Sequence, residues 1–291
     1  MHGQDAHATR HTSGWNSHSI IFLCAITIFL FFGCGKNIQK PLSICPGKSN
    51  VTEALAALKS QSDNMIPLFT NKGTLSVEYY GKDEMRKQHL KIRILLIKPP
   101  SEIYMQAAAG IVEKAAILGS NEKEFWFEIK PEFSSYWWGL WSQQSSNTGL
   151  FIDPKALLDA LGIAQIDTNA NWTLSNEGPY DILTKTIQGT INKKLYIYCC
   201  DYRVSKIEYY DNQGKPVAIV KLDNYTEVSP GFFIPFSIAI NSVAKNIEDT
   251  LNLDIKLDSV RPATDKQKNF KIVRPIPKGL DHVYQVINGQ W

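Results

Sequence analysis

Leu118-Gly119-Ser120-Asn121-Glu122-Lys123-Glu124, followed by Phe125-Trp126-Phe127-Glu128-Ile129-Lys130-Pro131, reads as a turn running into a β-strand. Gly, Ser and Asn are turn residues: Gly accepts positive φ, and Ser and Asn bond their own backbone. The run after them is aromatic and β-branched, as strands are. Alternation puts Phe125, Phe127 and Ile129 on one face and Trp126, Glu128 and Lys130 on the other, and Pro131 stops the ladder. Ten residues on, Tyr136-Trp137-Trp138-Gly139-Leu140-Trp141 holds three of the seven Trp. A curved antiparallel sheet built around these strands, with its apolar side as the working surface, is the expectation.

Upstream and downstream, strands dominate. Leu75, Val77 and Tyr79 alternate with polar residues, as do Leu90, Ile92, Ile94 and Leu96, until Pro99-Pro100. Ile103, Met105 and Ala107 form another strand, and Ala115 to Leu118 leads into the opening stretch. Beyond Trp172 the candidates are 180–188, 195–200, 204–210, 216–222, 232–241 and 251–257, with Asp211-Asn212-Gln213-Gly214 as a hairpin turn. Residues 274–280, rich in Pro, read as an extended, loosely folded finish. The total of about 10–12 strands at this spacing fits an antiparallel sandwich or barrel.

Two helices interrupt the pattern. Asn50 and Glu53 have capping-box spacing, and Val51, Ala54, Leu55 and Leu58 form one apolar stripe ending near Asn64. Asp153 as N-cap, Pro154 at N1, Leu157, Leu158 and Leu161 on one side and Gly162 at C′ predict the second.

Residues 1–33 read as an export signal. The apolar run Ile20 to Phe32, about 13 residues, is shorter than the ~20 a membrane-spanning helix needs. It ends Phe31-Phe32-Gly33-Cys34, similar to a bacterial lipobox, which makes Cys34 the expected lipidated N-terminus of the mature chain. Several acyl chains, palmitate among them, would hold it on a membrane, since each buried methylene contributes ~0.8 kcal/mol. Residues 34–48 then read as a tether and 49–291 as one domain.

The chain has 44% apolar and 20% charged residues, which permits an ordinary core. A net charge of +3 without a Lys/Arg run argues against a nucleic-acid partner. Four of the six His lie in the leader, leaving His89 and His282, and no P-loop, GxSxG, CxxC set or HExxH stands anywhere. A catalytic site, a metal and a cofactor are therefore not expected. With Cys24 in the leader and Cys34 acylated, Cys45, Cys199 and Cys200 remain. Either Cys45 pairs with one of the other two, or both are small buried strand thiols; the second reading is preferred.

The order of these pieces resembles the LolA/LolB superfamily of bacterial lipoprotein carriers and receptors. The matching stretches are Lys98-Pro99-Pro100, Ile103-Tyr104, Gly119 to Phe127 with its following Pro, Arg203 to Gly214, Tyr225 and Phe233-Ile234-Pro235. The resemblance covers about Val51 to Leu280. It implies a half-open antiparallel β-barrel with two or three helices closing an apolar cavity for acyl chains. Where soluble carriers have Arg in the basic-Pro element, this chain has Lys98. A lipid anchor suits a receptor better than a shuttle, and the exposed apolar tip such receptors use is placed at Gly149-Leu150-Phe151-Ile152. The implied ligand is an acyl chain or a lipidated protein, bound by a monomer in the bacterial cell envelope and facing the periplasm. The candidate groove residues are Phe125, Trp126, Phe127, Trp137, Trp138 and Trp141.

Overall fold

The computed structural model describes residues 43–81, 84–130, 134–144, 159–160, 166–243 and 250–287. The export signal, Cys34, the tip at 149–152 and most of the second helix lie outside the described residues. Of that helix only Asp159 and Ala160 are described, and both are helical.

Helix α1 (Val51–Asp63) starts where the capping pair places it: the Asn50 side chain accepts from the Glu53 N–H at 3.0 Å, and the Glu53 carboxylate accepts from Ser49 and from the Asn50 amide. A short β1 (Leu68–Thr70) follows. The first meander is β2 (Gly73–Gly81), β3 (Glu84–Lys98), β4 (Glu102–Ala109), β5 (Val112–Ser120), β6 (Glu124–Ile129) and β7 (Ser135–Leu140). The second is β8 (Asn171–Glu177), β9 (Tyr180–Ile187), β10 (Thr190–Tyr198), β11 (Arg203–Tyr210), β12 (Pro216–Ser229), β13 (Phe232–Ser242) and β14 (Leu251–Leu257). Antiparallel pairing of β2 with β14, Leu251 opposite Tyr79 through Leu257 opposite Gly73, fuses the two meanders into one sheet.

The chain ends in a strap containing β15 (Arg261–Pro262), a short helix α2 (Asp265–Lys268) and β16 (His282–Gln285), which pairs parallel to β7. The strand path runs from β16 and β7 at one end to β8 at the other and does not close. The result is the expected mainly β, half-open architecture, with sixteen strands among the described residues.

Burial explains the strand patterns. β3 begins with one-sided burial and ends with Leu95, Leu96 and Ile97 all buried. A bulge between Ile92 and Ile94 resets the alternation, so Leu90 and Ile92, then Leu95 and Ile97, face the same side. Leu96 faces the opposite side, where it joins Ile117, Trp126, Tyr136, Ala263 and Ile272 in a second, smaller core. This second core exists because the C-terminal strap covers that face.

The strap overturns the expectation of a loose finish. The carbonyls of Phe270, Ile272 and Pro275 accept from Lys98, Asn121 and the Tyr136 hydroxyl, at 3.0, 3.2 and 3.0 Å. Arg274 binds the Glu124 carboxylate at 2.7 Å and lies over the Trp138 ring. Two further expectations are corrected. Gly119 and Ser120 belong to β5, and the turn is centred on Asn121, whose side chain accepts from the N–H groups of Lys123 and Glu124. Cys199 and Cys200 sit in the turn after β10, not in a strand. That exposure at a turn lets Cys200 reach Cys45, with which it forms a disulfide, while Cys199 stays free.

Candidate functional site

The face of the sheet against α1 is apolar from end to end. β2 contributes Leu75 and Val77, β14 Leu253 and Ile255, β13 Ile234 and Ile238, and β12 Val220 and Leu222. Ile207, Leu195, Ile197, Leu183 and Trp172 extend it through β11 to β8. α1 lays Ala54, Leu55 and Leu58 on it, and the Gln61 amide donates to the Tyr202 carbonyl at 3.0 Å. Most of these side chains are buried, so the face is closed in this conformation.

Polar groups mark its two ends. At one, Lys193 of β10 binds Asp159 at 2.8 Å, and the Tyr209 hydroxyl donates to the same carboxylate oxygen at 3.0 Å. These contacts hold Asp159 against β10 and β11. At the other end the buried Asp181 carboxylate of β9 accepts from the Lys48 N–H at 2.8 Å, from the Asn176 amide at 2.6 Å and from the Cys199 thiol at 3.4 Å. Gly47 is required there, because a Cβ would stand 2.1 Å from an Asp181 oxygen. With the Cys45–Cys200 disulfide these bonds bind the segment before α1 to the sheet. Tyr202 closes the cluster with φ of +58° and a buried hydroxyl that faces Asp181. Burial, with Asp181 nearby, holds its phenol well above the ordinary range.

Burial and the Asp181 contact also push the Cys199 thiol up. A nucleophilic cysteine needs the opposite shift. His89 bonds Ser76 at an exposed strand position, and His282 stacks on Tyr284. Among the described residues no three His, Cys, Asp or Glu side chains converge as a metal site requires. No helix among them is long and apolar enough to cross a membrane.

The six aromatic candidates do not form one surface. Phe127 and Trp137 pack on the inner core and stack at 5.8 Å, and Trp137 continues onto Tyr284 of β16 at 5.9 Å. Trp126 and Trp138 face the opposite side, beneath the strap. Phe125 and Trp141 pack on each other at 4.6 Å, and the Trp141 indole donates to the Asn121 carbonyl. Sequence reading missed Tyr284, because β16 has no alternation long enough to announce a strand. It also missed the Asp159–Lys193–Tyr209 contact, whose members lie far apart in the chain.

No family model matches the chain, and no curated protein matches it. Among solved structures it is similar to an outer membrane lipoprotein-sorting protein domain from Vibrio parahaemolyticus. That pair is 11% identical with a TM-score of 0.49, over 75% of this chain and 95% of the other. It is also similar to a LolA superfamily protein from Nitrosomonas europaea, 12% identical with a TM-score of 0.48, over 75% of this chain and 97% of that one. Likeness this distant says nothing of ligand or activity. The strand order itself gives an open, mainly antiparallel sheet with a helical cover.

Proposed function

We propose that this chain is an exported lipoprotein, anchored through Cys34, whose inner sheet face takes an acyl chain or the acylated end of a protein. The observation that supports this most is the inner face itself. It stays apolar across both meanders, and the described part of its cover is one short helix with three buried side chains. A lidded groove has this construction. An acyl chain entering it would gain ~0.8 kcal/mol per methylene before the costs of opening and ordering. Trp137 and Tyr284, half-buried at the end of the sheet and stacked on buried Phe127, are the rings an entering chain would meet.

A second reading rests on burial. The inner side chains already cover one another, as they would in an interaction lipoprotein with a filled core and no lipid. Native mass spectrometry of protein extracted from its own membranes, with titration of a fluorescent fatty acid, separates the two. The groove reading expects co-purified acyl species and saturable uptake. Lipid-free protein that takes up no probe, even after its cover is loosened, would leave the filled core standing.

A further inference from the structure

The strap that covers the outer face is charged out of proportion to the chain. Its residues 261–280, just short of Asp281, hold Arg261, Lys266, Lys268, Lys271, Arg274 and Lys278 against one acid, Asp265. That is +5 in a protein whose formal charge is +3, leaving −2 for everything else (+3 less +5). Arg274 is committed to Glu124. Lys268 pairs with Asp265 at an exposed position, where such pairs contribute little. Lys266, Lys271 and Lys278 are exposed.

Between these lysines stand Val273 and Ile276, exposed by 67% and 81%, and Phe270, 49% exposed with one side of its ring against Tyr104. They are not exposed for want of a core, since Ile272 and Ala263 of the same strap are buried in one. The backing is fixed by the Lys98, Asn121 and Tyr136 bonds to strap carbonyls, so the outward side chains are presented on a rigid support.

An acidic protein would satisfy the lysines and leave the aliphatic groups wet. An apolar groove would satisfy the aliphatic groups and desolvate the lysines. An anionic bilayer surface meets both: phosphate headgroups take the ammonium groups, and the acyl boundary takes the apolar side chains. We propose that the C-terminal strap is a docking face for an anionic lipid surface. It would set which side of the sheet lies on the membrane, a matter that a flexible anchor leaves open. The proposal is independent of any ligand on the inner face.

The test uses the full chain with Cys34→Ser, so that no acyl anchor is attached, and vesicles of phosphatidylcholine with or without phosphatidylglycerol. Partitioning is read by co-sedimentation as the ratio of binding to anionic over neutral vesicles, so the apolar leader acts in both arms. The ratio should be well above one and fall with salt. Each basic residue at an anionic surface raises partitioning roughly fivefold. Lys266→Gln, Lys268→Gln, Lys271→Gln and Lys278→Gln together should therefore cut the ratio at least about tenfold. Phe270→Ser with Ile276→Ser should weaken binding to anionic vesicles and keep the salt dependence. Unchanged circular dichroism and thermal midpoint would show that these exposed changes leave the fold intact. A ratio near one, or a charge variant that binds as well as its parent, overturns the proposal. Tighter binding to polyglutamate than to anionic vesicles would reassign the strap to an acidic protein. A failure of acyl uptake on the inner face moves none of these readings.

Discussion

At Gly119 the absence of a side chain decides the outer core. Gly119 lies opposite Trp126 across β5 and β6, and a Cβ there would stand 2.2 Å from the indole ring. Trp126 is fully buried, so its ring can move only by displacing its neighbours. Gly119→Ala should therefore destabilise the protein by about 1–3 kcal/mol, the usual cost of overpacking, read as a lower urea midpoint at unchanged slope. Sequence reading found this glycine and gave it the wrong role, because a glycine in a turn and a glycine under a ring look alike along the chain. Tyr136 supplies a second test. Burial pushes its phenol up to about 12, above its ordinary value near 10. The folded chain then holds that proton more tightly than the unfolded chain does. The contribution is complete below pH 10 and is lost as pH rises from about 10 through about 12. Tyr136→Phe should flatten the fall in urea midpoint over that window. A fall of the same steepness in the variant would assign the alkaline loss to other groups, Tyr202 and Tyr225 first among them.

At the scale of elements, the hairpins and α1 were legible because their causes are local. Alternation, the Asn50–Glu53 pair and the Asp211 to Gly214 turn each act within a few residues. The strap was not legible. Residues 270–280 belong to no strand or helix, and three of their carbonyls are met by side-chain donors from β3, the β5–β6 turn and β7, more than 130 residues away. Contacts of that kind leave no period in the sequence. The disulfide is hidden in the sequence for a related reason: Cys199 and Cys200 continue the pattern of β10, and only the turn brings Cys200 to the segment before α1. Cys45 and Cys200 are 155 residues apart, so the cross-link removes much freedom from the unfolded chain. Cys45→Ser with Cys200→Ser should lower stability by up to about 5 kcal/mol in the loop-entropy account. Urea unfolding with and without reductant checks it: reductant should weaken the parent toward the double variant and leave the variant unmoved.

For the whole molecule, the decisive step is the pairing of β2 with β14, which turns two meanders into one open sheet and sets β7 and β8 at opposite ends of its path. The chain between β7 and β8 must then cross from one end of the sheet to the other, and the described contact along the way is Asp159 held by Lys193 and Tyr209. If the inner face is a lidded groove, this contact is the latch. Asp159 and Lys193 are each only 18% exposed, so their attraction is partly shielded from solvent, and removing one partner strands the other's charge. Lys193→Gln with Tyr209→Phe withdraws both partners from the carboxylate and leaves the apolar core under α1 in place. Amide hydrogen exchange at Asp159 and Ala160 should quicken at least tenfold, while the strands beneath keep their protection. Uptake of a fluorescent fatty acid should quicken with it, because entry waits on the cover. Faster exchange with no uptake would mean that the cover lifts from a solid core, and the acyl-binding proposal would fall while the fold stood. Unchanged exchange would mean that the connection is held by other contacts and that Asp159 is no latch.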